Sequence, residues 1–252
     1  MKELLRRVMP ASLKRWVKDQ VLHDQPLPSW TYGEDGLCTM HVADFLNDPQ
    51  FQKAYAAGKA TGSWPNGDLR WRVYVALWAA RQAWNLSGDF VECGVHLGGL
   101  ATAILTDVNW QQSPSRHFYL LDTFNGFPAD QRGVAAEVHR NDYLDDVWPQ
   151  VQGHFSKFPA VKLIRGAIPQ TLTHVTSQQV AYLSIDMNCA EPEVAALEYF
   201  WPRMVTGGIV LLDDYAFAEA YRRQKEAIDR WAKPLSLPIL SLPTGQGLLI
   251  KA

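Results

Sequence analysis

The sequence predicts a doubly wound α/β fold, and three observations predict it. Beyond Gly88, apolar runs of strand length alternate with helical stretches. The runs (Phe90–Val95, Phe118–Leu121, Val161–Ile164, Val180–Ile185, Ile209–Leu212, Pro238–Leu242 and Leu248–Ile250) are seven in number. Strands alternating with helices imply a mostly parallel sheet covered on both faces. The last two runs are joined only by the short PTGQG turn, so they can pair as an antiparallel hairpin at the sheet edge.

Before the sheet the chain reads differently. In residues 1–22, Arg6, Arg7, Lys14, Arg15 and Lys18 alternate with Leu4, Leu5, Val8, Leu13, Trp16 and Val17, and Pro10 splits the segment. Such a basic amphipathic stretch can lie on an anionic membrane surface as a peripheral contact. Alternatively it is a helical extension packed on the domain or on a second subunit of a homo-oligomer. Residues 23–36 hold two prolines and two glycines and read as a linker. Short helices are expected over 41–60. A longer one is expected over 69–86, where Val73, Leu77, Ala80 and Trp84 recur at helical spacing. The expected organisation is an N-terminal helical extension over 1–68 and the α/β domain over 69–252.

Composition narrows the function classes. With 47% apolar and 20% charged residues in 252, the chain is ordinarily globular. A formal charge of -2, with no basic stripe interleaved with aromatics, argues against a nucleic-acid partner. Cys38, Cys93 and Cys189 have neither zinc-ligand spacing nor an even count. Reduced thiols in the cytoplasm account for them. No run reaches the length of a membrane span, and cations interrupt any signal-peptide centre.

Three strand ends in succession suit parts of one nucleoside. The first runs Val91-Glu92-Cys93-Gly94-Val95-His96-Leu97-Gly98-Gly99 into a helix. Its glycines lack the dinucleotide spacing that cradles a pyrophosphate. A glycine turn flanked by acids better suits S-adenosylmethionine, which carries an amino-acid end, two ribose hydroxyls and a sulfonium but no phosphate. The alternative is close helix–strand packing. The second strand ends in Asp122-Thr123-Phe124, where Asp122 is placed to accept both ribose hydroxyls, or else to cap its own turn. The third ends in Gly166-Ala167, small enough to admit an adenine edge. The candidate cofactor contacts are therefore Glu92, Cys93, Gly94, Val95 and Gly98, then Asp122, Thr123 and Phe124, then Gly166 and Ala167.

The next two strands end in Asp186 and in Asp213-Asp214. Parallel strands present their carboxyl ends at one edge, so these three acids should converge beside the cofactor. Unpaired carboxylates repel, and a cation resolves the conflict. Oxygen ligands alone favour Mg2+ or another hard divalent cation. Alternatively, Asp213 and Asp214 cap the following helix and Asp186 bonds to backbone. A bound cation would ease proton loss from a hydroxyl acceptor, with a carboxylate or histidine taking the proton.

The stretches GDFVECGVHLGG, LLDTFNGFP, IRGAIPQTL and SIDMNCAEPEVAALEYFWPRMVTGGIVLLDDY resemble the macrocin O-methyltransferase family over roughly residues 88–250. The resemblance implies a Rossmann-like class I methyltransferase fold and metal-dependent O-methylation of a sugar or other small-molecule or glycan acceptor. It also implies that Glu92 and Asp122 bind S-adenosylmethionine, that Asp186, Asp213 and Asp214 hold the metal, and that Asp186 is the general base. His139, in the insertion over 125–160, is a reserve base. By the same resemblance the segment around Thr39 and Met40 is expected to fold over the cofactor as a lid. Family members often read Asp-x-Asp-x-Tyr where this chain has Asp186-Met187-Asn188-Cys189-Ala190, which bears on the acceptor pocket. Two other readings compete: a metal-dependent hydrolase using the three aspartates, and a binding protein without catalysis.

Overall fold

The computed structural model describes residues 30–65, 67–108, 110, 115–131 and 145–252. The basic N-terminal stretch, the first half of the expected linker, and His139 with its neighbours Asp142 and Tyr143 lie outside the described residues. The chain divides into two compact units between Ala43 and Asp44. In the first, β1 (Tyr32–Glu34) and β2 (Leu37–Thr39) pair antiparallel, with Glu34 opposite Leu37. Asp35 and Gly36 make the two-residue turn with φ of 50° and 72°. That left-handed pair matches the twist of a tight hairpin. The expected linker therefore ends in a hairpin.

The second unit opens with α1 (Pro49–Lys59), which Asp48 caps by accepting the N–H groups of Gln50 and Phe51. The helix expected over 69–86 is α2 (Arg70–Trp84), which buries Val73, Ala76, Leu77, Ala80 and Ala83. A third helix, α3 (Gly99–Asp107), packs on both α1 and α2. A Cβ at Gly58 of α1 would stand 2.6 Å from the Gly99 carbonyl oxygen, so only glycine permits this approach.

All seven expected strands form one sheet. In chain order they are β3 (Asp89–Cys93), β4 (Phe118–Asp122), β5 (Val161–Arg165), β6 (Val180–Ile185), β7 (Met204–Leu212), β8 (Leu240–Ser241) and β9 (Gly247–Ile250). Their order across the sheet is β5-β4-β3-β6-β7-β9-β8. The first five run parallel, and β9 runs antiparallel to both β7 and β8. Winding proceeds outward from β3 on one side and from β6 on the other. The switch point, where such sheets open a crevice for ligands, thus falls between β3 and β6.

Side-chain alternation builds a core on each face. Phe90 and Tyr182 enter one cluster with Leu77 and Ile104. Val91 and Leu183 enter the other with Leu197 and Ile228. Those last two belong to α5 (Ala190–Phe200) and α6 (Arg222–Ala232), which pack against each other. Every residue of β6 is buried, which is why its sequence is apolar without a break. Each such large side chain contributes about 1.5–3 kcal/mol on burial. A shorter helix, α4 (Trp148–Phe155), precedes β5. Among the described residues no helix is long and apolar enough to cross a membrane.

Candidate active site

At the switch point, β3 leads into the glycine turn. Gly94 adopts φ of 89°, and a Cβ there would lie 1.8 Å from the Asp186 carbonyl oxygen. This glycine therefore serves the close packing of two strand ends, rather than the helix–strand packing weighed from sequence. The amide of Asp186 donates to the Cys93 carbonyl at 2.8 Å, locking the two ends together.

Asp122, at the end of β4, organises the turn. Its Oδ2 accepts the N–H of Val95 at 2.6 Å and of His96 at 2.9 Å. Its Oδ1 accepts the Phe124 N–H at 2.7 Å. The Thr123 hydroxyl lies 3.2 Å from Oδ1, but its proton goes to the Gly126 carbonyl at 2.5 Å. A carboxylate has about four acceptor positions, so three are filled by backbone and one is left. Gly166 joins the same edge by donating its N–H to the Asp122 carbonyl at 2.9 Å, and the Ala167 carbonyl accepts from Thr171.

Glu92 is the chemical anomaly of this half. Its side chain is buried (2% exposed), and Oε2 has no hydrogen-bond partner. Burial, followed by the charges of Asp122 and Asp213, pushes its carboxyl well above the usual range. An orphaned buried carboxylate oxygen is costly unless something meets it. The ammonium of an amino-acid ligand is a group of the right charge, so the residues present fit S-adenosylmethionine.

The second half of the site is the expected acid triad. One carboxylate oxygen each from Asp186, Asp213 and Asp214 lies within 4.8 Å of the others. Burial, then the charges of Asp213 and Asp214, raises the Asp186 carboxyl well above its ordinary value, while Arg72 opposes the shift. Oxygen-only donors so close together fit a hard divalent cation. Arg72 is already there: its Nη1 donates to Asp213 Oδ2 at 2.6 Å and to Asp214 Oδ1 at 2.8 Å. Asp213 Oδ1 accepts from Gln246 Nε2 at 2.8 Å.

Glu193, in the first turns of α5, supports the Asp186 loop. It is buried, and its Oε1 accepts the Met187 N–H at 3.1 Å and Gln224 Nε2 at 2.9 Å. Burial, with a contribution from Asp214, pushes its carboxyl up to about 8.

The structure thus brings together the three acids and sets the glycine turn against Asp122, while Glu92 is buried near the end of β3. Sequence reasoning missed Arg72, Glu193 and Gln246. Within the described part of the insertion, Asp146 accepts from the Trp148 N–H and from Arg165, and His154 Nε2 pairs with the Thr102 hydroxyl at 2.8 Å. Both have local structural partners.

The family model described as macrocin O-methyltransferase (TylF) matches residues 69–240. A Streptomyces olivaceus protein, 8-demethyl-8-(2,3-dimethoxy-alpha-L-rhamnosyl)-tetracenomycin-C 4'-O-methyltransferase, is 30% identical over 142 residues, covering 52% of this chain and 54% of that one. The mycinamicin III 3''-O-methyltransferase of Micromonospora griseorubida is 25% identical over 158 residues, 58% of this chain and 62% of that one. The chain thus spans little more than half the length of these relatives. Among solved structures, the O-methyltransferase NovP has a TM-score of 0.63 at 21% identity, covering 72% of this chain and 79% of that one. The calicheamicin methyltransferase CalS11 has a TM-score of 0.58 at 19% identity, covering 83% of this chain and 94% of that one. At those identities the two structures speak for the fold alone.

Proposed function

Because the chain belongs to the macrocin O-methyltransferase family, we propose that it moves a methyl group from S-adenosylmethionine to a hydroxyl of a sugar or glycosylated metabolite, with a hard divalent cation assisting. One observation carries the reading: Asp186, Asp213 and Asp214 converge at a strand end that is itself locked against the glycine turn held by Asp122. The names of the Streptomyces and Micromonospora relatives, both sugar-tailoring O-methyltransferases, support the acceptor class.

The reaction breaks the methyl carbon's bond to sulfur as its bond to the acceptor oxygen forms, and the hydroxyl proton has to leave. Glu92 offers its unmet Oε2 to the ammonium of the methyl donor. Asp122 keeps acceptor capacity beyond its three backbone donors, which it offers to the ribose hydroxyls. Asp186 is assigned the proton. A divalent cation held by Asp186, Asp213 and Asp214 would lower the pKa of the acceptor hydroxyl. Positioning at the switch point supplies much of the remaining acceleration. A hydrolase built on the same acids would leave Glu92 without a role.

Calorimetric titration with S-adenosylhomocysteine, in Mg2+ and again in chelator, tests the reading. Binding in the micromolar range, about -8 kcal/mol, that is lost in Asp122→Ala is the expected result. Absence of binding in both buffers would overturn it.

A further inference from the structure

Arg72 occupies an unusual place. It sits in the first turn of α2, is 7% exposed, and reaches the end of β7, where Asp213 and Asp214 follow. Its Nη1 touches Asp213 Oδ2, Asp214 Oδ1 and, at 3.3 Å, the Asp213 carbonyl. The guanidinium carbon lies 4.1 Å from the centre of the Phe217 ring, which covers it. Asp213 is fixed from its other side by Gln246, itself 1% exposed and held by the Thr244 hydroxyl.

From this geometry we infer that Arg72 is the resident counter-cation of the aspartate triad and sets how tightly the triad holds a divalent ion. The inference rests on the metal-assisted part of the proposed function. The guanidinium bonds one oxygen of each member of the aspartate pair, so one of the pair's two negative charges is offset and the site can fold without metal. A divalent ion held by the same pair shares their negative charge with Arg72 and meets its positive charge at close range. Repulsion between like charges in a partly desolvated pocket is poorly screened. Arg72 therefore trades metal affinity for a site that is pre-assembled before metal arrives.

The test is Mn2+ titration, by calorimetry and by electron paramagnetic resonance, of the wild-type chain, Arg72→Met and Arg72→Lys. Arg72→Met should bind Mn2+ at least about tenfold more tightly than wild type. It should also melt at lower temperature in chelator, with Mn2+ restoring the loss. Arg72→Lys keeps a positive charge beside the pair without the guanidinium's geometry and should bind Mn2+ less tightly than Arg72→Met. Equal affinity of wild type and Arg72→Met overturns the inference, as does an Arg72→Lys that binds as tightly as Arg72→Met, or no Mn2+ binding by any of them. Should Arg72→Met fold in neither buffer, the same tenfold criterion applies to Arg72→Gln. S-adenosylhomocysteine titration of the same samples separates the two levels. Donor binding without the Mn2+ pattern removes only the role of Arg72, whereas loss of donor binding by wild type removes the methyltransferase reading beneath it.

Discussion

The carboxylate of Asp122 accepts the backbone N–H of His96 at 2.9 Å, pinning the turn after β3 to the end of β4. His96 holds a left-handed backbone with φ of 50°, and Phe124, which donates to the same carboxylate, holds φ of 52°. Such conformations cost about 1–3 kcal/mol each for residues other than glycine. One side chain thus stabilises two strained corners of the crevice, and any role in holding a ligand is added to that structural one.

Replacing Asp122 should therefore damage fold and binding together. Asp122→Ala removes three backbone hydrogen bonds to a charged acceptor and should lower stability in urea by about 2–4 kcal/mol. Asp122→Asn keeps one acceptor oxygen and should fall between. An alanine variant within about 0.5 kcal/mol of wild type would show that the turn holds itself.

Glu92 predicts the opposite pattern. Its Oε2 is buried without a partner, and the charges of Asp122 and Asp213 bear on it. Glu92→Gln replaces a buried carboxyl whose charged form burial disfavours, so stability at neutral pH should hold or rise by about 1 kcal/mol. Affinity for S-adenosylhomocysteine should nevertheless fall by at least about tenfold, because the neutral amide gives the ligand's ammonium no counter-charge. Affinity unchanged in a stable Glu92→Gln would leave the buried carboxylate without a binding role.

How far the sequence carried these readings depends on range. β6 is legible because a strand buried on both faces is apolar at every position, and the whole of Val180–Ile185 is buried. The acids at strand ends are legible because topology alone brings them to one edge. Arg72 is not, since its partner Asp213 lies 141 residues away. The one local sign is that Arg72 heads a stripe of small residues, Ala76, Ala79 and Ala83, all buried with it. The Asp35-Gly36 hairpin was legible in principle, because that dipeptide is a strong turn signal. Three-residue strands with a mixed burial pattern, however, leave no periodicity to read. Glu193 sits between apolar neighbours in an acidic first turn, a setting that ordinarily means solvent. Only the positions of Met187 and Gln224 explain its burial.

Glu193 carries a pH dependence whose sign follows from its environment. Burial raises its carboxyl from an ordinary 4.5 to about 8 in the folded chain. A carboxyl raised on folding stabilises fully below the unfolded value, and the contribution is lost as pH rises through the folded one. Stability of the wild type should therefore decline between about pH 4.5 and 8 relative to Glu193→Gln, which keeps the Oε1 acceptor. The gap should reach a few kcal/mol, about 3–5 by linkage. Urea melts of both proteins at pH 5, 6.5 and 8 measure it. A difference that stays flat across those points contradicts a buried, titrating Glu193.

Two glycines make a controlled comparison of crowding against backbone entropy. At Gly94 a methyl group would meet the Asp186 carbonyl oxygen at 1.8 Å, with φ already at 89°. Backbone cannot yield there without separating β3 from β6, so Gly94→Ala should cost more than about 3 kcal/mol or prevent folding. At Gly153, inside α4, a Cβ meets nothing within 4 Å. Gly153→Ala should raise stability by about 0.5–1 kcal/mol, since alanine loses less conformational freedom in a helix. Thermal melts of the two variants beside wild type should move in opposite directions. A Gly94→Ala that melts with wild type would mean that the strand ends are not packed as tightly as the Asp186–Cys93 hydrogen bond implies.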